Sequence, residues 1–211
     1  MKRNIFLIVF GLLGIVGATA QTAAEVRKSA SEARKILDKT ASVVSRKGGA
    51  SASFKISSPK IGSTTGTIAI KGKKFHARTP QAIVWFDGKT QWSYMKSTDE
   101  VNVFTPTEAQ QMAMNPYQFI NLYKHGYTLS VTGSDRNFHN IRLVAQTQAR
   151  SAQELYIKIN KKTYTPTQVK MREGTTWTTI DITGFQAKDQ PDGIFVFNAK
   201  DFPKAEIIDL R

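Results

Sequence analysis

The sequence predicts an α+β protein, mainly β, built as a highly curved antiparallel sheet or unclosed β-barrel wrapped around a few helices. Three observations predict it. One amphipathic helical segment follows an apolar leader. Period-two alternation then recurs in short segments to the C-terminus. A second, broken helical stretch interrupts those segments in mid-chain. A long antiparallel sheet with few helices must cover its apolar face, and curving over its own helices is the economical way to do so.

The leader comes first. Lys2 and Arg3 precede an unbroken apolar run from Ile5 to Val16, and Ala18 and Ala20 give a small-x-small pattern. Twelve apolar residues rise about 18 Å as a helix, against a hydrocarbon core of roughly 30 Å. The run is too short to span a membrane and has the length of a secretory signal. Residues 1–20 therefore read as a signal peptide cleaved near Ala20/Gln21, and 21–211 as one domain of an exported protein. The chain contains no cysteine, which excludes a lipidated terminus, disulfides and thiolate metal sites. Net charge is +14, and removing Lys2 and Arg3 leaves +12. Export disfavours nucleic acid as the partner, so the charge points to solubility or to anionic lipid headgroups.

Residues 22–46 read as a helix with Val26, Ala30, Ala33, Leu37 and Val44 on its apolar side, stopped at Gly48 and Gly49. Ala50, Ala52, Phe54 and Ile56 then alternate with Ser51, Ser53 and Lys55 as a half-buried strand. A turn is expected over Gly62 to Gly66, a second strand from Thr67 to Ile70, and a second turn at Lys71-Gly72-Lys73. Ile83 to Met95 reads as a hairpin closed by Asp87-Gly88, a favoured type I′ pair. A two-residue loop would oppose Phe86 with Lys89 and Ile83 with Trp92. It places Ile83, Trp85, Trp92 and Tyr94 on one face, extended by Val101 and Val103.

Thr105-Pro106-Thr107-Glu108 has the residues of a helix start. Asn115-Pro116 breaks that helix, and an apolar piece follows to Lys124. Strands are expected over Tyr127–Thr132, Ile141–Gln146, Glu154–Asn160, Thr167–Glu173 and Thr176–Thr183. The tail carries Ile194–Phe197, Phe202-Pro203 and Glu206–Leu210, and is expected to end in a short strand or extended segment.

Nothing has the pattern of a catalytic centre. His76, His125 and His139 are not at metal-ligand spacing, no nucleophile elbow or phosphate loop occurs, and Asp99-Glu100 and Glu173 are isolated. The chain reads as a non-enzyme without cofactor. The apolar side chains between Trp85 and Ile120 serve either as core or as the walls of an acyl-chain cavity. Flexible methionines beside a broken helix favour the cavity.

Phe86-Asp87-Gly88-Lys89-Thr90-Gln91-Trp92-Ser93-Tyr94 resembles the D-G-K-x-x-W-x-Y segment of the periplasmic outer-membrane lipoprotein carriers, the LolA family. The order of elements around it is similar, from Leu37-Asp38-Lys39 and Ala52-Ser53-Phe54 to Phe195-Val196-Phe197, Pro203 and Ile207-Ile208-Asp209. The resemblance implies an unclosed β-barrel with helices as a lid over a hydrophobic cavity. It implies no cofactor, acylated lipoproteins as cargo, an inner-membrane lipoprotein-releasing ABC transporter as donor and an outer-membrane acceptor. The cavity residues it suggests are Phe54, Ile68, Ile70, Ile83, Trp85, Trp92, Tyr94, Val101 and Val103 on the sheet. Met112, Phe119 and Ile120 would belong to the lid. The family's lid-holding arginine falls at Gly72 here, beside Lys73 and Lys74. A monomeric carrier is the expectation. The alternatives are an envelope sensor or protein-interaction domain of the RseB type on the same half-barrel, or a carrier of another lipid.

Overall fold

A computed structural model describes residues 15–60, 62–107 and 122–211. Helix α1 runs over Ile15–Val44, so the expected cleavage point lies within it. Its buried positions are Ala33, Ile36, Leu37, Thr40 and Val44, the three-and-four spacing of one helical stripe. Thr40 fits the stripe because its hydroxyl donates to the Ile36 carbonyl at 3.0 Å. Val26, expected on the apolar side, is 63% exposed. Ser29, one turn later, is the point where the helix meets the sheet, its Oγ accepting the Val131 N–H at 2.9 Å.

Among the described residues twelve strands follow: β1 (Ala50–Ser58), β2 (Gly62–Lys71), β3 (Lys74–Arg78), β4 (Ala82–Phe86), β5 (Gln91–Met95), β6 (Glu100–Phe104), β7 (Tyr127–Ser134), β8 (Phe138–Ala145), β9 (Glu154–Asn160), β10 (Pro166–Glu173), β11 (Thr176–Gln186) and β12 (Glu206–Asp209). They form one curved sheet in the order β12-β6-β5-β4-β3-β2-β1-β11-β10-β9-β8-β7. Every neighbouring pair is antiparallel except β12 against β6, which is parallel. Among the described residues β7 and β12 are the edges, and the sheet does not close into a barrel. The α+β, unclosed-barrel class predicted from the pattern is the one observed.

Two local differences have clear causes. Gly62 to Gly66 is strand rather than turn, and the turn sits at Pro59-Lys60. Gly66 pairs with Phe54, and a Cβ on Gly66 would lie 2.5 Å from Phe54 Cζ and 2.3 Å from the Arg78 carbonyl oxygen. The glycine is there to admit an aromatic ring, which is one of the reasons glycine occurs inside strands. Gly66→Ala is therefore expected to destabilise by about 1–3 kcal/mol, because one of the two obstructions is backbone. Urea unfolding would check it, and a loss below about 0.5 kcal/mol, the size of an ordinary surface substitution, would show that β2 shifts freely.

The second difference is the hairpin register. Phe86 pairs with Gln91 and Ile83 with Tyr94, so the loop is the four residues Asp87 to Thr90. Gly88 has φ +103° but Asp87 does not have positive φ, which rules out type I′. Instead the Asp87 carboxylate accepts the N–H groups of Lys89 and Thr90 at 2.8 and 2.7 Å, building the turn from its side chain. The register moves by two residues, which preserves every face assignment.

The tail holds two short 3-10 turns, Asp192–Phe195 and Ala199–Asp201, before β12. The mid-chain helices expected from Thr105 to Lys124 fall largely on residues 108–121, outside the described residues.

A half-barrel with two apolar faces

Cross-strand register sorts the side chains into two sets. On the side facing α1, one row runs Val131, Ile141, Ile157, Val169, Ile180 and Ile56 from β7 to β1. A second runs Ala50, Ile70, Phe75 and Phe86 from β1 to β4, and a third Ala52, Ile68, Ala77 and Val84. These residues and the α1 stripe make a single cluster. Beyond β4 the rows reach Gln91, Ser93 and Asn102, with Phe104 opposite Gln91 as the apolar exception. Tyr123 joins from just past the undescribed stretch, donating its hydroxyl to Asp38 at 2.6 Å. Burial and the Asp38 carboxylate raise the Tyr123 phenol well above its usual range.

The opposite face has its own core. Ile83, Trp85, Val101 and Val103 are buried, yet none belongs to the helix-side cluster. Trp85 lies 5.4 Å from Phe197 and 5.5 Å from Phe202, and Tyr94 lies 4.7 Å from Phe202. Phe195 is fully buried in the same tail. His76 stacks under Trp85 at 5.5 Å. Its burial, with Arg78 adding to the effect, pushes its pKa down to about 4, so the ring is neutral at ordinary pH. The tail thus seals this face. It is tied down by Asp192, whose carboxylate meets Lys71 and Lys74 at 2.9 Å each, and by Arg46 with Asp189 at 3.1 Å.

The sequence-predicted cavity residues therefore separate. Phe54, Ile68 and Ile70 lie on the helix side. Ile83, Trp85, Trp92, Tyr94, Val101 and Val103 do share one face, but it is the other one. They cannot line a single cavity with the first three. Met112, Phe119 and Ile120 lie outside the described residues. The physical reason is strand parity. Ile70 pairs with Phe75, so its sheet neighbour is Phe75 and not His76, and it is His76 that pairs with Trp85. Sequence reasoning also passed over Phe75 and Phe86 as helix-side residues, and Phe202 as a cover for the hairpin. One signal was present: Ala82 to Phe86 is apolar without alternation, as a strand buried on both faces requires.

Gly72, where the resemblance places a lid arginine, is a turn residue with φ +59°. Its neighbours Lys71 and Lys74 hold Asp192 of the tail, so this corner serves the sealed face.

Residues 23–175 match the LolA_2 family model, outer membrane lipoprotein carrier protein LolA. The chain belongs to this family. The match ends before β11 and the sealing tail. The fold also has counterparts among solved structures. An uncharacterized conserved protein from Thermus thermophilus aligns with TM-score 0.59 and 11% identity, over 84% of this chain and 99% of that one. A LolA superfamily protein from Nitrosomonas europaea gives 0.44 and 12%, over 78% and 97%. The MucA/MucB complex of Pseudomonas aeruginosa gives 0.44 and 12%, over 79% and 61%. A comparison with curated proteins gives no match. The family's description is that of a carrier of outer-membrane lipoproteins, which suggests a periplasmic setting.

Proposed function

We propose that this chain is a periplasmic carrier that shields the acyl chains of lipoproteins against the helix side of its half-barrel and shuttles them from inner to outer membrane. The observation that supports it most is the unbroken apolar face from Val131 to Phe86 in a chain of the LolA family. Each methylene buried is worth about 0.8 kcal/mol, so an acyl chain does not leave such a face into water. Transfer must be an exchange between apolar surfaces, from an ABC-type releasing complex to the carrier and from the carrier to an acceptor.

In this reading Phe54, Ile68 and Ile70 form the floor, and the half-buried Ile56, Val84 and Met171 mark where the face is open to cargo. Met112, Phe119 and Ile120 would cover it. The hairpin aromatics Trp85, Trp92 and Tyr94 hold the opposite core together and touch no acyl chain. A signal peptide over residues 1–20 would deliver the chain, and neither a cofactor nor a catalytic step is needed.

Photo-crosslinkers placed at Ile56, Val84 and Val196 test this with an acylated lipoprotein. Crosslinks are expected from positions 56 and 84 and not from Val196, which is exposed on the tail. Crosslinks confined to position 196, or none from a folded carrier, would overturn the assignment.

A further inference from the structure

The solvent face of β7–β11 carries a groove of about 640 Å³ that the acyl-chain reading does not use. It is lined by Thr132, Asn140, Tyr156, Lys158, Lys170 and Trp177, with Gln168 and Thr179 beside them. Strand pairing arranges these side chains in two parallel rows. One crosses Asn140, Lys158 and Gln168, and the next crosses Tyr156, Lys170 and Thr179. Neighbouring strands lie about 4.8 Å apart, so each row repeats a polar group at that interval.

The charge of this groove is unbalanced. Glu154 is neutralised by Arg142 and Arg172 at 2.7 and 3.2 Å. Asp181 accepts the Gln168 amide at 2.7 Å and keeps its charge, and Asp135 after β7 acts on Lys158 through space without an ion pair. The four cations Arg142, Lys158, Lys170 and Arg172 therefore outnumber these three carboxylates. Among the described residues neither Lys158 nor Lys170 has an ion-pair partner, and the Lys158 ammonium rests over the Phe138 ring at 4.3 Å. Two aromatic rings stand at the same place. Tyr156 and Trp177 are 5.9 Å apart, and Trp177 is 37% exposed. Arg142 and Arg172 back these rings at 5.8 and 5.9 Å, which fixes their orientation.

We propose that this groove binds an anionic saccharide chain. Amides and hydroxyls at regular spacing suit successive sugar hydroxyls, flat rings suit the apolar faces of pyranoses, and two ammonium groups outside any direct ion pair suit carboxylates on the chain. An acyl chain does not fit, since the one aliphatic residue of the lining, Ile157, is buried. The inference is independent of the carrier reading, because the two sites lie on opposite faces of the sheet.

The probe is a hexasaccharide of galacturonic acid, titrated calorimetrically against the full mature chain at near-physiological ionic strength. Binding is expected, with at least a tenfold loss in Lys158→Glu/Lys170→Glu and in Trp177→Ala. Lys200→Glu/Lys204→Glu on the exposed tail carries the same charge change and is expected to bind as the wild type does. The inference is overturned by no binding to the folded wild type or by an equal loss in the tail variant. Equal affinity for a neutral glucan hexamer, or anionic lipid vesicles binding while the hexasaccharide does not, would also overturn it.

Discussion

Trp85→Ala is expected to cost about 3–5 kcal/mol in chemical denaturation, the range for truncating a buried aromatic side chain. The indole is 6% exposed and sits between the His76 ring below and Phe197 and Phe202 above. Its removal opens a void on the sealed face and withdraws the surface on which the tail rests. A second readout separates this from a general loss of packing. Proteolysis within 187–205 should accelerate far more than cleavage in the β8–β9 connection, because Phe197 and Phe202 lose the ring they pack against and the salt bridges at Asp189 and Asp192 are worth little alone. Trp85→Phe keeps an aromatic platform and should restore most of both. Acyl-chain crosslinking from positions 56 and 84, measured where the variant is still folded, should persist. A large stability loss that left tail proteolysis unchanged would mean that the tail is held by something other than these rings.

This result bears on what the sequence makes legible. Alternation marked nearly every strand, and Asp87-Gly88 marked the hairpin, because both are local properties of a chain half in water. The same alternation placed the hairpin aromatics and the valines of β6 on one face, and they are there. What it could not convey is which face. Deciding that requires counting parity through two turns, from Ile70 past Gly72 to Phe75 and then past Thr79 to Ile83. A face rich in tryptophan also reads as a ligand wall when its cover lies a hundred residues away. Phe197 and Phe202 sit in a tail with no periodicity, so nothing local announces that they close over Trp85. Gly66 misled for a related reason. A glycine between serines and threonines has the composition of a turn, and only its partner Phe54 explains it as strand.

The helix side raises a different question, namely what keeps so long a sheet curved when α1 is the one α-helix behind it among the described residues. Part of the answer lies on the solvent face, at Glu154. Its carboxylate on β9 is met by Arg142 from β8 and by Arg172 from β10, and it accepts the Tyr156 hydroxyl at 3.0 Å. One acid thus clasps three adjacent strands. Burial alone would raise its pKa, but the hydrogen bonds from Arg142, Tyr156 and Arg172 prevail and hold it below the ordinary value. Glu154→Ala leaves two guanidinium groups facing each other without a counter-charge. Since both arginines retain some access to water, the expected loss is about 2–3 kcal/mol, short of the roughly 3–5 typical of a fully buried pair. Glu154→Gln keeps an acceptor and should lose roughly half as much. The pH dependence gives the sharper check. A carboxylate whose pKa is lower folded than unfolded contributes stability that is fully present above about pH 4.5 and fades as pH falls through the folded value. The gap between wild type and Glu154→Gln should therefore be constant at neutral pH and close on acidification. A gap that stayed constant down to about pH 3, below the ordinary carboxylate range, would show that shape, not charge, is what Glu154 supplies to the curve of the sheet.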